Sequence, residues 1–195
     1  MLGWQRRTVW ASQLHRFSDM PTDFGTLVQR DHVDVQKELT RLLEPAATRA
    51  QLGSALDGVR LGLTSHAGAE DIVLGRCEAI PGLELVVAEA RAAHLAQENA
   101  LAALVSARPS TNAWRDRAVH LRELIRRHAM REELELLPAL RQHAPSELYR
   151  SLAGAFATER LRQLSMLQPS VPLCASDVAH ASARLGERAE LTRAS

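Results

Sequence analysis

Two short stretches carry residue types that could do chemistry together: His66-Ala67-Gly68-Ala69-Glu70-Asp71 and His128-Ala129-Met130-Arg131-Glu132-Glu133. In each, a histidine is followed four residues later by a glutamate and then by a second acid. An α-helix turns once in about 3.6 residues, so each histidine stands over its glutamate on one face. An imidazole beside a carboxylate offers one nitrogen and one oxygen ligand to a metal ion. That donor pair suits iron, and also manganese or zinc.

The surroundings repeat as well, at an offset of 62 from His66 to His128. Leu52, Leu56, Val59, Leu63, His66, Glu70, Val73 and Cys77 advance by alternating steps of four and three. Trp114, Ala118, Leu121, Ile125, His128, Glu132, Glu135 and Ala139 do the same. Each set reads as the inward seam of a bundle helix in which two polar groups replace core residues. Burying an unpartnered hydrogen-bonding group costs about 1–3 kcal/mol, and a charge costs more. A metal ion would be the missing partner. A buried His–Glu hydrogen bond, or a seam that turns these residues into solvent, accounts for one such pair equally well. The pair at matching places on two seams favours the metal.

The elements that must position these residues follow from the apolar periodicity. A first helix starts near Pro21-Thr22-Asp23, with Thr22 or Asp23 as cap, and ends by Pro45. Its seam is Val28, His32, Val35, Leu39 and Leu42. A second runs from about 47 to 80 and is weakened by Gly53, Gly58, Gly62, Gly68 and Gly75, of which Gly75 can end or kink it. A third covers about 83 to 106, with Val87, His94, Leu101 and Val105 inward. Glu98, four residues after His94, lies close to that stripe, and Gln97 competes with it for the inward direction. A fourth covers about 112 to 143, with Pro138 bending or breaking its last turns. A fifth covers 146 to 167, with Leu148, Leu152, Phe156, Leu161 and Leu164 as its stripe. Long helices with short connections predict an all-α protein, an antiparallel up-down-up-down four-helix bundle with a fifth C-terminal helix. Residues 1–21 read as an N-terminal arm, 22–167 as the bundle and 168–195 as a loosely attached tail.

Each of the four bundle helices thus brings one seam histidine: His32, His66, His94 and His128. The expectation is that the four converge, with Glu70 and Glu132 between them. His15 with Asp19 has ligand spacing but no apolar seam, and His120 falls beside the seam. There is no Glu-x-x-His pair of the ferritin-like two-iron sites, no glycine-rich phosphate loop, no G-x-S-x-G and no H-E-x-x-H.

At these residues the chain resembles the hemerythrin-like (HHE cation-binding) domain. The likeness lies in a lone histidine on the first helix, H-x3-E-[DE] on the second, a histidine on the third, and H-x3-E-E followed by Leu137-Pro138-Ala139-Leu140. It covers about residues 22–143, with the fifth helix as a common extension. The resemblance implies a non-haem centre of two iron ions, carboxylate- and oxo-bridged. Glu70 and Glu132 would bridge, and His32, His66, His94 and His128 would be terminal ligands. Glu98 stands where oxygen carriers have a second histidine on the third helix. Their bridging carboxylate on the fourth comes one residue later, at Glu133 here. A charge at Glu98 would favour the ferric state, and so redox chemistry over reversible oxygen carriage.

Composition bounds the rest. The net charge of +1 and a single lysine, Lys37, among dispersed arginines give no reason to expect nucleic acid or an anionic membrane as partner. Cys77 and Cys174 form no CxxC and read as reduced thiols. No apolar run approaches the ~20 residues of a membrane span, and the N-terminus lacks a secretory core. A cytoplasmic protein is expected. Two functions fit. One is a di-iron protein that binds, senses or turns over O2, H2O2 or nitric oxide, or handles iron; as an enzyme it would be a peroxide- or oxygen-reactive oxidoreductase. The other is a non-catalytic helical interaction module with a structural or vestigial metal site. The implied ligand is a small diatomic or a peroxide, and no protein partner is indicated.

Overall fold

Asp23 starts the bundle. Its backbone is extended, and its Oδ1 accepts from the Thr26 N–H at 2.8 Å, so it satisfies one of the free donors of the first turn. Thr48 does the same for the second helix in a reciprocal capping box with Gln51, and Thr111 caps the fourth through the Trp114 N–H at 3.1 Å. The computed structural model describes residues 23–167. The arm expected over 1–21, the tail over 168–195, His15, Asp19 and Cys174 lie outside the described residues. The helices are α1 (Phe24–Leu42), α2 (Arg49–Leu74), α3 (Glu84–Val105), α4 (Asn112–Arg131), a π-helical segment (Glu132–Leu136), α5 (Leu137–His143) and α6 (Ser146–Leu167). No strand occurs among the described residues. No described helix is long and apolar enough to cross a membrane.

α1 packs against α2 and α4, and α3 packs against α2 and α4, which closes a four-helix ring. The buried residues show the helix directions. Phe24 and Val28 from the start of α1 share one apolar cluster with Val73 and Leu74 from the end of α2, and with Leu83 and Val87 at the start of α3. Leu39 and Leu42 from the end of α1 share a second cluster with Leu52 and Ala55 from the start of α2, and with Leu101 and Leu104 at the end of α3. Neighbouring helices therefore run antiparallel. Between the two clusters lies a polar layer: Asp31, His32, Ser65, His66, Glu70, His94, Gln97, His128 and Glu132, all buried. α6 lies over α1 and α2. There it buries Leu152 and Phe156, whose ring meets Phe24 edge-on at 5.5 Å.

Three expectations need correcting. The second helix ends at Leu74 rather than near 80, with Gly75 as the residue that ends it; residues 75–83 form successive turns, with Gly82 at a positive φ of 91°. On α6, Leu161 is exposed, because the helix turns Leu152, Phe156, Arg160 and Gln163 toward the bundle instead. The fourth seam does not continue through Glu135, although Ala139 packs against the core, partly buried. Beyond Glu132 the buried residues are Leu136, Leu137 and Leu140, while Glu135 is exposed. The π-helical segment accounts for this shift. The Leu137 N–H bonds the Glu132 carbonyl, five residues back, so one extra residue is accommodated and the seam moves on by one. Pro138 supplies the local cause, since in a regular α-helix its ring would meet the carbonyl four residues before it and its missing N–H would leave that carbonyl unpaired.

Asp23 also receives Arg141 of α5 and Tyr149 of α6 at 3.3 and 3.4 Å. Burial raises its carboxyl, but the bonds from Thr26 and the Arg141 charge outweigh that and hold it below the usual range. Its contribution is therefore complete above the unfolded carboxyl value near 4 and is lost as pH falls through the lower folded value. Asp23→Ala should destabilise the protein by about 1 kcal/mol at neutral pH. The difference should shrink in urea titrations at acid pH.

Candidate metal centre

The polar layer is built by register. On each helix one histidine replaces an apolar residue at the same height, and the four rings close on one another. Ring centroids are 5.1 Å apart for His32 and His66, 6.2 Å for His66 and His94, 4.7 Å for His94 and His128, and 6.4 Å for His128 and His32. The two glutamates stand among them. Glu70 Oε2 lies 3.2 Å from His66 Nε2 and 3.4 Å from His94 Nε2. Glu132 Oε2 lies 2.8 Å from His32 Nε2, 3.3 Å from His128 Nε2 and 3.9 Å from His66 Nε2. Donor atoms of His66, Glu70, His94, His128 and Glu132 all fall within 4.8 Å of one another.

Three of the four rings are held from outside by a carboxylate. His32 Nδ1–H donates to Glu133 Oε1 at 2.9 Å, His94 Nδ1–H to Asp71 Oδ1 at 2.8 Å, and His66 Nδ1–H to Asp31 Oδ2 at 3.4 Å. A carboxylate can only accept, so Nδ1 carries the proton; Nε2 of His66 and His94 then faces inward without a partner, and Nε2 of His32 bonds Glu132 Oε2 at 2.8 Å. Each of these acids is the chain neighbour of a layer residue, yet each serves a ring on a different helix. Asp31 of α1 reaches α2, Asp71 of α2 reaches α3, and Glu133 of the π-helical segment reaches α1. Among the described residues, His128 has no such partner.

Buried atoms that approach without hydrogen-bonding one another test whether the donors fit a cation. His66 Nε2, His94 Nε2, His128 Nε2, both Glu70 oxygens and Glu132 Oε1 are buried with no hydrogen-bond partner among the described residues. Glu70 Oε2 stands 3.2 Å from His66 Nε2 and 3.4 Å from His94 Nε2 without a hydrogen bond to either. Left so, each of these buried atoms would cost about 1–3 kcal/mol. Nitrogen and carboxylate donors converging in this way match what a first-row transition ion takes, so the residues fit a metal.

The electrostatics agree. Burial and the adjacent Glu70 carboxylate push Glu132 well above the usual range. Burial acts on Glu70 too, but the His66 and His94 rings close beside it hold it well below. Burial lowers His94, yet the Asp71 and Glu70 carboxylates outweigh it and bring the ring up to about 9. Burial and the charge of His94 take His128 down to about 3. Four rings and two carboxylates in one dry layer split their affinities because like charges there cannot all form. A bound cation would relieve that conflict.

The model of the hemerythrin HHE cation-binding domain matches residues 24–140. The chain belongs to the hemerythrin family. No curated protein and no solved structure matches it. The matched span holds every residue of the hemerythrin-like polar layer and the three outer carboxylates, and it ends before α6 begins.

One expected site residue is elsewhere. Glu98 is exposed on α3. The inward track runs from His94 through Gln97 to Leu101 and Leu104, and Glu98 is one step round from it. Its carboxylate therefore does not stand among the converging donors. Val105 is likewise exposed and Leu104 takes its place. The residues that sequence reasoning missed are Asp31, Asp71 and Glu133. The second acid of each H-x3-E-[DE] motif was the visible signal for two of them.

Gln97 is 1% exposed, and neither of its amide atoms has a partner among the described residues. Gln97→Met keeps the length and removes the amide. It should stabilise the metal-free protein by about 1 kcal/mol or more in urea unfolding; an unchanged midpoint would show that the amide is satisfied.

Proposed function

We propose that this hemerythrin-like domain is a non-haem di-iron protein that binds, senses or turns over a small oxidant: O2, H2O2 or nitric oxide. The observation that carries the reading is the set of inward-facing, unpartnered donors on α2, α3, α4 and the π-helical segment, with His32 of α1 bonded to Glu132 beside them and carboxylates behind three of the rings. His32, His66, His94 and His128 would be terminal ligands, and Glu70 and Glu132 would bridge. Manganese or zinc could occupy the same donors. An iron pair, when bound, supplies a redox-active centre with coordination positions that protein donors do not fill.

The chain's own part is to orient, admit and exclude. Asp71, Glu133 and Asp31 fix the rings so that no rotation is needed when a cation arrives. Glu70 and Glu132 bring the negative charge that a cation pair requires. The apolar clusters above and below keep water from the layer. A groove of about 200 Å³ reaches the layer between α3 and α4; it is lined by Val86, Ala90, Ala93, Ala96 and Leu124 and ends at His128 and Glu132. Its alanines leave room and its lining is apolar, which suits a small uncharged molecule. Arg131 pairs with Glu89 across the mouth and with Glu135 beside it. The groove arrives at the one ring without an outer carboxylate among the described residues, so a ligand meets the least restrained side of the layer.

Metal analysis and an absorption spectrum of protein purified from iron-replete cells test the reading. Two irons per chain and near-ultraviolet to visible bands of a bridged ferric pair are expected; a colourless zinc protein would instead favour the structural module. Chelation should lower the melting temperature, since a ligand present at 100 times its Kd stabilises by about 2.7 kcal/mol. Ala93→Phe should slow nitric oxide association with the ferrous protein in stopped-flow traces while leaving the iron content unchanged.

A further inference from the structure

Helix α6 lies outside the span that the family model matches, yet it reaches the polar layer at three points. Arg160 Nε donates to Asp31 Oδ2, the same oxygen that receives His66 Nδ1–H. The Phe156 ring meets the His66 ring edge-on, with centroids 5.9 Å apart. Gln163 lies over Gly68, where a β-carbon would come within 3.0 Å of its amide. Gly68 stands between His66 and Glu70, so the Gln163 side chain of α6 lies directly on the site-bearing turn.

The three outer carboxylates differ in their need for a counter-ion. The Asp71 and Glu133 side chains are 44% and 36% exposed, and water can balance their charge. The Asp31 side chain is 12% exposed. Covered by α6, it depends on a cation within the protein, and among the described residues Arg160, itself 21% exposed, is the arginine that touches it. We propose that Arg160 is a positioning residue of the centre: it clamps Asp31, and through Asp31 it fixes the His66 ring with Nε2 toward Glu70. α6 is on this account a working wall of the site rather than an appendage.

The ring orientation can be read without any metal. In histidine-labelled, metal-free full-length protein, the His66 Nδ1–H resonance should be slow to exchange in the wild type. It should be lost in Arg160→Met, retained in Arg160→Lys, and unaffected in Arg162→Met, whose arginine pairs with the outward Glu159 on the same helix. If Arg160→Met does not fold, the double variant Asp31→Asn, Arg160→Met leaves no unpaired buried charge; the resonance should be lost there too, because nothing clamps the substituted amide. A protected Nδ1–H in whichever of these two variants is folded overturns the proposal. A second arm rests on the di-iron reading: ferrous affinity by chelator competition should fall roughly 10- to 100-fold in Arg160→Met and recover in Arg160→Lys. A wild type that takes up no metal would sink that reading, and the resonance would still decide the role of Arg160.

Discussion

Four imidazoles and two carboxylates share one cross-section of an otherwise apolar bundle, and their desolvation constrains everything around them. Each group alone would be cheaper as leucine. Together they are tolerable only if every inward-facing atom finds a positive partner and every outward-facing nitrogen finds an acceptor. The second requirement is met for three of the rings within the chain, by Asp31, Asp71 and Glu133. The first is what a metal pair would meet. The apolar clusters on either side give the bundle enough buried surface to carry a layer that contributes little on its own.

The outer carboxylates also tie the bundle together laterally. Because each acid serves a ring on another helix, a shift of α1 or α2 along its axis would break one hydrogen bond at its own acid and another at its own ring. Register is thus fixed by polar contacts at mid-height and by apolar packing at the two ends. Polar groups of this kind specify one arrangement among several that apolar packing alone would accept. His128, free of such a tie among the described residues and facing the groove, is the exception, and it lies where an incoming molecule arrives.

Much of this was legible in the sequence, because the seams of α1 and α2 keep a regular period through His32, His66 and Glu70. The bundle, its antiparallel order and the convergence of four histidines follow from that period. Glu98 was misplaced because a 3.6-residue helix leaves positions three and four beyond His94 nearly equivalent, and only packing chooses Gln97. The partners of the three acids were not legible, since i,i+4 spacing describes contacts along one helix and these contacts run between helices. The reach of Arg160 to Asp31 depends on where α6 docks, and the exposed Leu161 shows that its apolar stripe did not give that docking correctly.

The π-helical segment from Glu132 to Leu136 has a consequence for comparing relatives. A helix with such a segment carries one residue more than its axial length accommodates as regular α-helix. An ungapped alignment anchored on Leu137-Pro138 would set Glu133, not Glu132, against the inner carboxylate of any relative lacking that extra residue. Glu132 and Glu133 would then be confused, although one faces the centre and the other buttresses His32 from behind. Which of two adjacent glutamates a relative uses as its inner carboxylate is a question of where its helix absorbs the additional residue.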